Sequence, residues 1–158
     1  IVWISANGTL LNNTMLIGEY LHTIDQKSRL SVPSKFRKEL GSHVVLARGL
    51  DRCLFLFPEA RWKELAERIA NLPMGKAENR NFQRMMVAGA ADLEIDDLGR
   101  ILLPDYLRVY AGLKDAALIA GLMNRIEIWS PEAWRKSAET ALDQLDSIAE
   151  KLGEAGLY

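Results

Sequence analysis

Two stretches of this chain, 71 residues apart, carry one pattern: Ile24-Asp25-Gln26-Lys27-Ser28-Arg29-Leu30-Ser31-Val32-Pro33 returns as Ile95-Asp96-Asp97-Leu98-Gly99-Arg100-Ile101-Leu102-Leu103-Pro104. Aspartate, arginine and proline keep their spacing, with aliphatic residues at matching places. The match runs on through Arg37/Arg108 and Gly41/Gly112. After single inserted residues, Gly49-Leu50 aligns with Gly121-Leu122 and Pro58-Glu59-Ala60 with Pro131-Glu132-Ala133. Two degenerate copies of one supersecondary unit predict a pseudo-symmetric fold in which neither half need bury its core alone. A difference between the copies marks where a function can persist in one and fade from the other.

Each copy opens with strand-like alternation, Tyr20 to Ile24 and Leu93 to Ile95. A turn follows over Asp25 to Ser28, matched by Asp96 to Gly99. Aspartate at a turn start can accept a backbone N–H two residues on, and glycine tolerates positive φ. A short strand then runs to Pro33 or Pro104, each expected at the first position of a short helix. Gly41 and Gly112 fall where that helix should end. Two further strands follow, His43 to Ala47 and Cys53 to Phe57, then Ala116 to Ala120 and Arg125 to Trp129, with Gly49 and Gly121 in the turns between. Pro58-Glu59 and Pro131-Glu132 start a longer helix in each copy, the acid complementing the helix dipole. Leu72-Pro73-Met74-Gly75 breaks the first. Lys76 to Ala88 then forms a connecting helix, with Phe82, Met85 and Met86 on one side as core filler. The last helix carries a heptad seam of Trp134, Ala138, Ala141, Leu145, Ile148 and Leu152, with Gly153 and Gly156 as its stop. Packing onto the chain's own sheet is the favoured use of that seam, a contact between subunits the other.

Composition narrows the function classes. A chain of 158 residues, 49% hydrophobic and 26% charged, can bury a real core. Its net charge of -1 means that attraction to nucleic acid requires a local patch. The lone Cys53 excludes an internal disulfide framework, fits a cytosolic chain, and reads as a buried packing thiol rather than a redox or nucleophilic one. His22 and His43 have no metal-ligand spacing and read as half-buried strand residues. Asp96-Asp97, the only adjacent acids, read as a structural turn rather than an acid/base pair. There is no glycine-rich phosphate loop or nucleophile elbow, so neither an enzyme nor a cofactor is expected. Residues 1–14 open with the apolar Ile1-Val2-Trp3-Ile4, too short to span a membrane, and are expected to be a leader extra to the fold.

Charge separates the copies. Residues 20–38 hold Lys27, Arg29, Lys35, Arg37 and Lys38 against Asp25, a balance of +4. The equivalent residues 91–109 hold Arg100 and Arg108 against Asp92, Glu94, Asp96, Asp97 and Asp105, a balance of -3. Basic residues around a strand-strand turn suit a phosphate backbone, and an arginine there can fork onto guanine O6 and N7. The same charges also fit an ordinary solvated surface with Asp25–Arg29 as an internal salt bridge.

Met15-Leu16-Ile17-Gly18-Glu19-Tyr20, the DxxxR of Asp25 to Arg29, Leu30-Ser31-Val32-Pro33, and the second DxxxR of Asp96 to Arg100 together resemble the MraZ family of the AbrB/SpoVT swapped-hairpin superfamily. The resemblance covers residue 15 to about residue 150. It implies an α+β fold: two tandem β-β-α-β-β pseudo-repeats forming one swapped-hairpin β-barrel, with a helix after each repeat. The corresponding boundaries are 1–14 (leader), 15–61 (first SpoVT-AbrB-like repeat, DNA-reading), 62–89 (helical connector), 90–134 (second repeat, structural) and 135–158 (C-terminal helix). The implied function is a cytoplasmic, nucleoid-associated transcription factor acting on the promoter of the division and cell-wall gene cluster that contains its own gene. It would bind double-stranded DNA as a homo-oligomeric ring, commonly an octamer, presenting one basic loop per subunit to short direct repeats. The resemblance assigns DNA contact to Arg29, with Lys27 as its basic partner and Ser28 in place of the glycine common in the family. Lys35, Arg37 and Lys38 either add phosphate contacts or form a plain solvated face. Asp25, Asp96, Gly99 and Arg100 are expected to hold the turns, since Leu98 stands where the first copy has Lys27. Two other readings are an antitoxin-like DNA binder of the same fold and a docking module for a neighbouring methyltransferase.

Overall fold

The computed structural model describes residues 3–4, 10–11 and 15–157. Its elements are β1 (Trp3–Ile4), β2 (Leu10–Leu11), β3 (Ile17–Thr23), β4 (Arg29–Ser31), α1 (Ser34–Leu40), β5 (His43–Arg48), β6 (Leu54–Pro58) and α2 (Glu59–Ala70). Helix α3 (Ala77–Gln83) then runs into a π-helical turn over Arg84–Ala88. The second repeat is β7 (Ala91–Glu94), β8 (Arg100–Leu102), α4 (Asp105–Tyr110), β9 (Ala116–Leu122), β10 (Ile126–Trp129) and α5 (Pro131–Asp143), followed by α6 (Leu145–Glu154). Each repeat is therefore β-β-α-β-β with a helix after it.

Six strands form one antiparallel sheet in the order β3-β9-β10-β6-β5-β7, and β4 and β8 form a separate two-stranded ribbon. The pairing exchanges strands between repeats. Strand β3 lies on β9 of the second repeat (Tyr20 opposite Ile119), while β7 lies on β5 of the first (Leu93 opposite Val44). The ribbon takes one strand from each, with Leu30 opposite Ile101. This is the swapped-hairpin arrangement: each hairpin completes the other repeat's half of the structure.

One core serves both repeats. Leu30, Val32, Ile101 and Leu103 of the ribbon region join Phe36, Leu46, Leu56, Leu107, Ile119 and Ile126 in a single buried cluster. Burying an aliphatic side chain of this size stabilises by about 1.5–3 kcal/mol, so neither hairpin can leave without exposing the other repeat's core. The helix after each repeat is pinned by aromatic rings outside that cluster. Phe57 meets Trp62 of α2 at 5.7 Å, and Trp129 meets Trp134 of α5 at 5.6 Å.

The structure differs from the sequence expectations at several points. Strand β3 starts at Ile17 rather than Tyr20. Pro33 and Pro104 stand one position earlier than expected, as N-caps with ψ of 132° and 138°; their fixed φ suits either place. Gly121 lies inside β9, not in the turn, where a Cβ would collide with the Leu16 and Ile17 backbone. Cys53 precedes β6 in the turn. The single helix expected over Lys76 to Ala88 is α3 plus the π turn, and only Met86 is buried; Phe82 and Met85 are exposed. The C-terminal helix divides at Gln144, whose φ of -104° and ψ of 0° interrupt the hydrogen-bond ladder, and Gly153 lies within α6 rather than ending it. The seam meets the sheet only at its start, where Trp134 packs on Trp129; Leu145, Ile148 and Leu152 are all exposed. The leader expected over residues 1–14 falls largely outside the described residues; its described part is the antiparallel pair of β1 and β2.

Candidate nucleic-acid interface

The DxxxR spacing builds a clamp around a four-residue turn. Oδ1 of Asp25 accepts the backbone N–H groups of Lys27 and Arg29, both at 2.9 Å, and Oδ2 accepts Nε of Arg29 at 2.7 Å. The Ser28 N–H donates to the Asp25 carbonyl at 2.9 Å. Asp96 repeats the arrangement, with Oδ1 accepting from Leu98 (3.0 Å) and Arg100 (2.9 Å) and Oδ2 accepting Nε of Arg100 at 2.8 Å. One carboxylate thus satisfies two turn amides and fixes one guanidinium, which needs aspartate at the turn start and arginine four residues later. The backbone N–H of Arg29 is the largest influence holding the Asp25 carboxyl below the usual aspartate value. At Asp96 it is the Arg100 side chain. The residue before each arginine is left-handed, φ +59° at Ser28 and +77° at Gly99, so serine takes the conformation that glycine takes in the other turn.

The two turns hold each other. The Leu103 N–H donates to the Ser28 carbonyl at 2.9 Å, and the Val32 N–H donates to the Gly99 carbonyl at 2.8 Å. Each hairpin turn is therefore bound to the segment that leads into the other repeat's short helix.

That exchange redistributes charge. A cleft of about 380 Å³ beside Lys27 and Ser28 is completed by Leu102, Leu103, Pro104 and Asp105 of the second repeat. Arg37 of α1 reaches the second turn instead. Its Nε donates to the Val32 carbonyl at 2.9 Å, and a Cβ on Gly99 would collide with its guanidinium. Lys35 and Lys38 are exposed on the same α1. The +4 stretch read along the sequence is thus divided in space, and the first turn has an acid of the second repeat beside it. The contrast that survives is local. Residues 25–29 hold Lys27 and Arg29 against Asp25, while residues 96–100 hold Arg100 against Asp96 and Asp97. Lys27 and Leu98 are both exposed at their tips. Arg108, the counterpart of Arg37, pairs with Asp105 at 3.1 Å.

Other residues singled out in the sequence have structural places. His22 Nδ1 lies 2.7 Å from the Ser31 carbonyl. His43 is exposed rather than half-buried, 3.8 Å from Glu94. Cys53 is buried, and burial is the largest influence pushing its thiol up to about 12, so it is inert as a nucleophile at neutral pH. One cluster escaped sequence reasoning. Arg48 lies over the rings of Tyr106 and Tyr110, and Arg52 lies over Tyr110, whose hydroxyl donates to the Gly49 carbonyl at 2.7 Å. The two-residue hairpin loop Asp51-Arg52, both at positive φ, between apolar runs was the available signal.

The family model described as "MraZ protein, putative antitoxin-like" matches residues 15–85 and again residues 86–152. The chain is 50% identical over 141 residues to a "Transcriptional regulator MraZ" of Roseiflexus castenholzii, covering 89% of this chain and 98% of that protein. It is 48% identical over 143 residues to the protein of the same name from Lachnoclostridium phytofermentans, covering 90% and 99%. The Caldicellulosiruptor bescii protein of that name is 46% identical over 143 residues, covering 90% and 100%. Among the described residues, no helix is long and apolar enough to cross a membrane.

Proposed function

The chain belongs to the MraZ family, and from that premise we propose that it is a transcriptional regulator binding double-stranded DNA through its first DxxxR hairpin. The observation that carries the reading is the tip of the first turn, where an exposed Lys27 accompanies Arg29 while Leu98 takes the matching place in the second turn. The clamp at Asp25 engages Nε of Arg29. The other edge of the guanidinium is then the one available to fork onto guanine O6 and N7. Lys27, exposed on the same turn, supplies a phosphate contact, and Ser28 supplies the left-handed step that brings the two together. Asp25 acts within the turn, because a carboxylate facing phosphate would repel it. Lys35 and Lys38, exposed on α1, are at most secondary contacts, since they lie outside the turn that holds Lys27 and Arg29. Arg100 and Asp96 hold the second turn and do not read DNA.

A single loop with two basic residues binds weakly, and its affinity falls as salt rises. The protein therefore works as a homo-oligomeric ring, an octamer in the family's common form, in which several loops touch successive direct repeats. Matched spacing raises avidity by roughly 10²–10⁴ through effective concentration. The exposed Leu145, Ile148 and Leu152 of α6 supply apolar surface for that assembly. The site of action is the nucleoid in the cytoplasm, on the promoter of the division and cell-wall cluster that includes the protein's own gene.

The experiment is a titration of the DNA upstream of that gene with the wild type, Arg29→Ala and Arg100→Ala at low and moderate salt. Tight binding lost only in Arg29→Ala supports the reading. Equal loss in both variants assigns contact to both turns. No wild-type binding at either salt overturns it, and capture of the neighbouring methyltransferase would then identify a docking module.

A further inference from the structure

Arg37 differs from Lys35 and Lys38 in where its charge is placed. Its Nε donates to the Val32 carbonyl at 2.9 Å, and the Val32 N–H donates to the Gly99 carbonyl at 2.8 Å. The guanidinium also fills the space over Gly99: a Cβ built there would collide with Cζ of Arg37. Arg37 thus closes a ring of contacts through Val32 and Gly99 that joins the first repeat's short helix to the second repeat's turn. From there the ribbon leads back to the reading loop. Ser31 lies opposite Arg100, and Arg29 lies opposite Leu102, one residue before the Leu103 N–H that binds the Ser28 carbonyl. The pseudo-symmetric position lacks this strut. Arg108 turns to Asp105, and Ser28 carries the Cβ that the guanidinium would displace.

We propose that Arg37 is a positioning residue for DNA recognition: bracing Gly99 and Val32, it sets the ribbon that presents Ser28 and Arg29, and it does not contact phosphate. The inference rests on the DNA-binding reading above. Its chemistry is specific to arginine, because a lysine keeps the charge but has neither an Nε donor nor a planar group to lie on Gly99. Gly99→Ala should act from the other side by pushing the guanidinium off its seat.

The test uses the full chain with Arg37→Met, Arg37→Lys and Gly99→Ala, each titrated against operator and random duplexes over a salt series, with concentrations corrected to the folded fraction. The operator-to-random affinity ratio should fall roughly tenfold, the size of one misread base pair, in all three variants. The salt slope should stay at the wild-type value. A slope reduced by about one in Arg37→Met, with the ratio intact, would make Arg37 a phosphate contact and overturn the proposal. So would an unchanged ratio and slope. Amide hydrogen exchange on the free protein supplies a readout independent of DNA. Exchange at Val32 and at Leu103 should quicken together in Arg37→Met; quickening at Val32 alone would show that the strut does not reach the reading loop. If the wild type shows no operator preference, the DNA-binding reading fails first, and this exchange pair alone decides whether the strut exists.

Discussion

The Asp25–Arg29 and Asp96–Arg100 hairpins share one clamp, 2.7 Å between aspartate Oδ2 and arginine Nε in the first and 2.8 Å in the second. They share the left-handed step before the arginine and the cross-hairpin amide bond after it. What differs is decoration: Lys27 against Leu98, Gln26 against Asp97, Ser28 against Gly99, and Arg37 seated on only one of the two. A duplicated fold therefore preserves geometry and frees surface chemistry to diverge. The clamp cannot distinguish the turns, because both have it; the DNA contact proposed for the first alone has to come from the tip and its surroundings.

The shared part of the comparison is broken most severely in the core. Leu30 and Ile101 face each other across the ribbon, and both are fully buried. Leu30→Ala and Ile101→Ala should each destabilise the protein by about 2–5 kcal/mol, and by similar amounts, in chemical unfolding. A large loss in one variant alone would mean that the repeats do not share the ribbon equally.

The functional part is next in size. Arg29→Ala should cost roughly 10²-fold or more in operator affinity, because each loop's loss of up to about 1–3 kcal/mol is repeated around an assembly. Arg100→Ala should remain within a few fold once folding is verified. Because Lys35 and Lys38 are exposed on α1 and only Arg37 of that helix reaches a turn, Lys35→Ala and Lys38→Ala should leave the operator-to-random ratio unchanged, with a salt slope reduced by no more than about one each.

The two clamps should also titrate alike. Each aspartate is held below its usual value in the folded state. Its stabilising contribution is therefore fully present above the unfolded-state value and is lost as pH falls through the folded one. Amide shifts of both turns should stay constant from neutral pH down to about 5 and move together only below the ordinary aspartate range. Movement near neutrality in one turn would mean that its clamp is not the ion pair described.

Much of this comparison was legible along the chain. The repeat, both turns, the short helices after the prolines and the buried Cys53 follow from local chemistry: aspartate bonding its own turn, proline fixing φ, apolar alternation marking strands. Strand exchange came from the family resemblance alone, because periodicity reports which face of a strand is apolar and not which strand it pairs with. Which turn each basic residue faces was not legible by either route. Lys35, Arg37 and Lys38 follow Arg29 closely in sequence, yet Arg37 sits on Gly99 of the other repeat. The division at Gln144 was hidden for a similar reason, since no proline or glycine punctuates it. The resemblance to a family supplied the expectation of DNA contact at Arg29, and the Asp25–Arg29 salt bridge was legible as a local pairing, while the bond from the Arg29 amide that completes the clamp came from the structure.

The smallest expected effect concerns the residue between the tip and the arginine. Ser28 holds φ +59°, where a non-glycine residue is strained by roughly 1–2 kcal/mol. Glycine there would relieve that strain but loses about 0.4–1 kcal/mol to the greater freedom of its unfolded chain. Ser28→Gly should therefore change stability by no more than about 1 kcal/mol, toward greater stability. The reverse exchange is not equivalent. Gly99→Ser meets the Arg37 guanidinium as well as the backbone penalty, so it should destabilise by more than Ser28→Gly gains. Chemical unfolding of the two variants checks the sign, and equal and opposite shifts would mean that Arg37 yields its place without cost. If Ser28→Gly leaves operator affinity unchanged, serine serves the reading turn only through its backbone. If affinity falls while stability rises, the hydroxyl itself takes part in the contact, and the first hairpin differs from the second by one more functional group than its charges reveal.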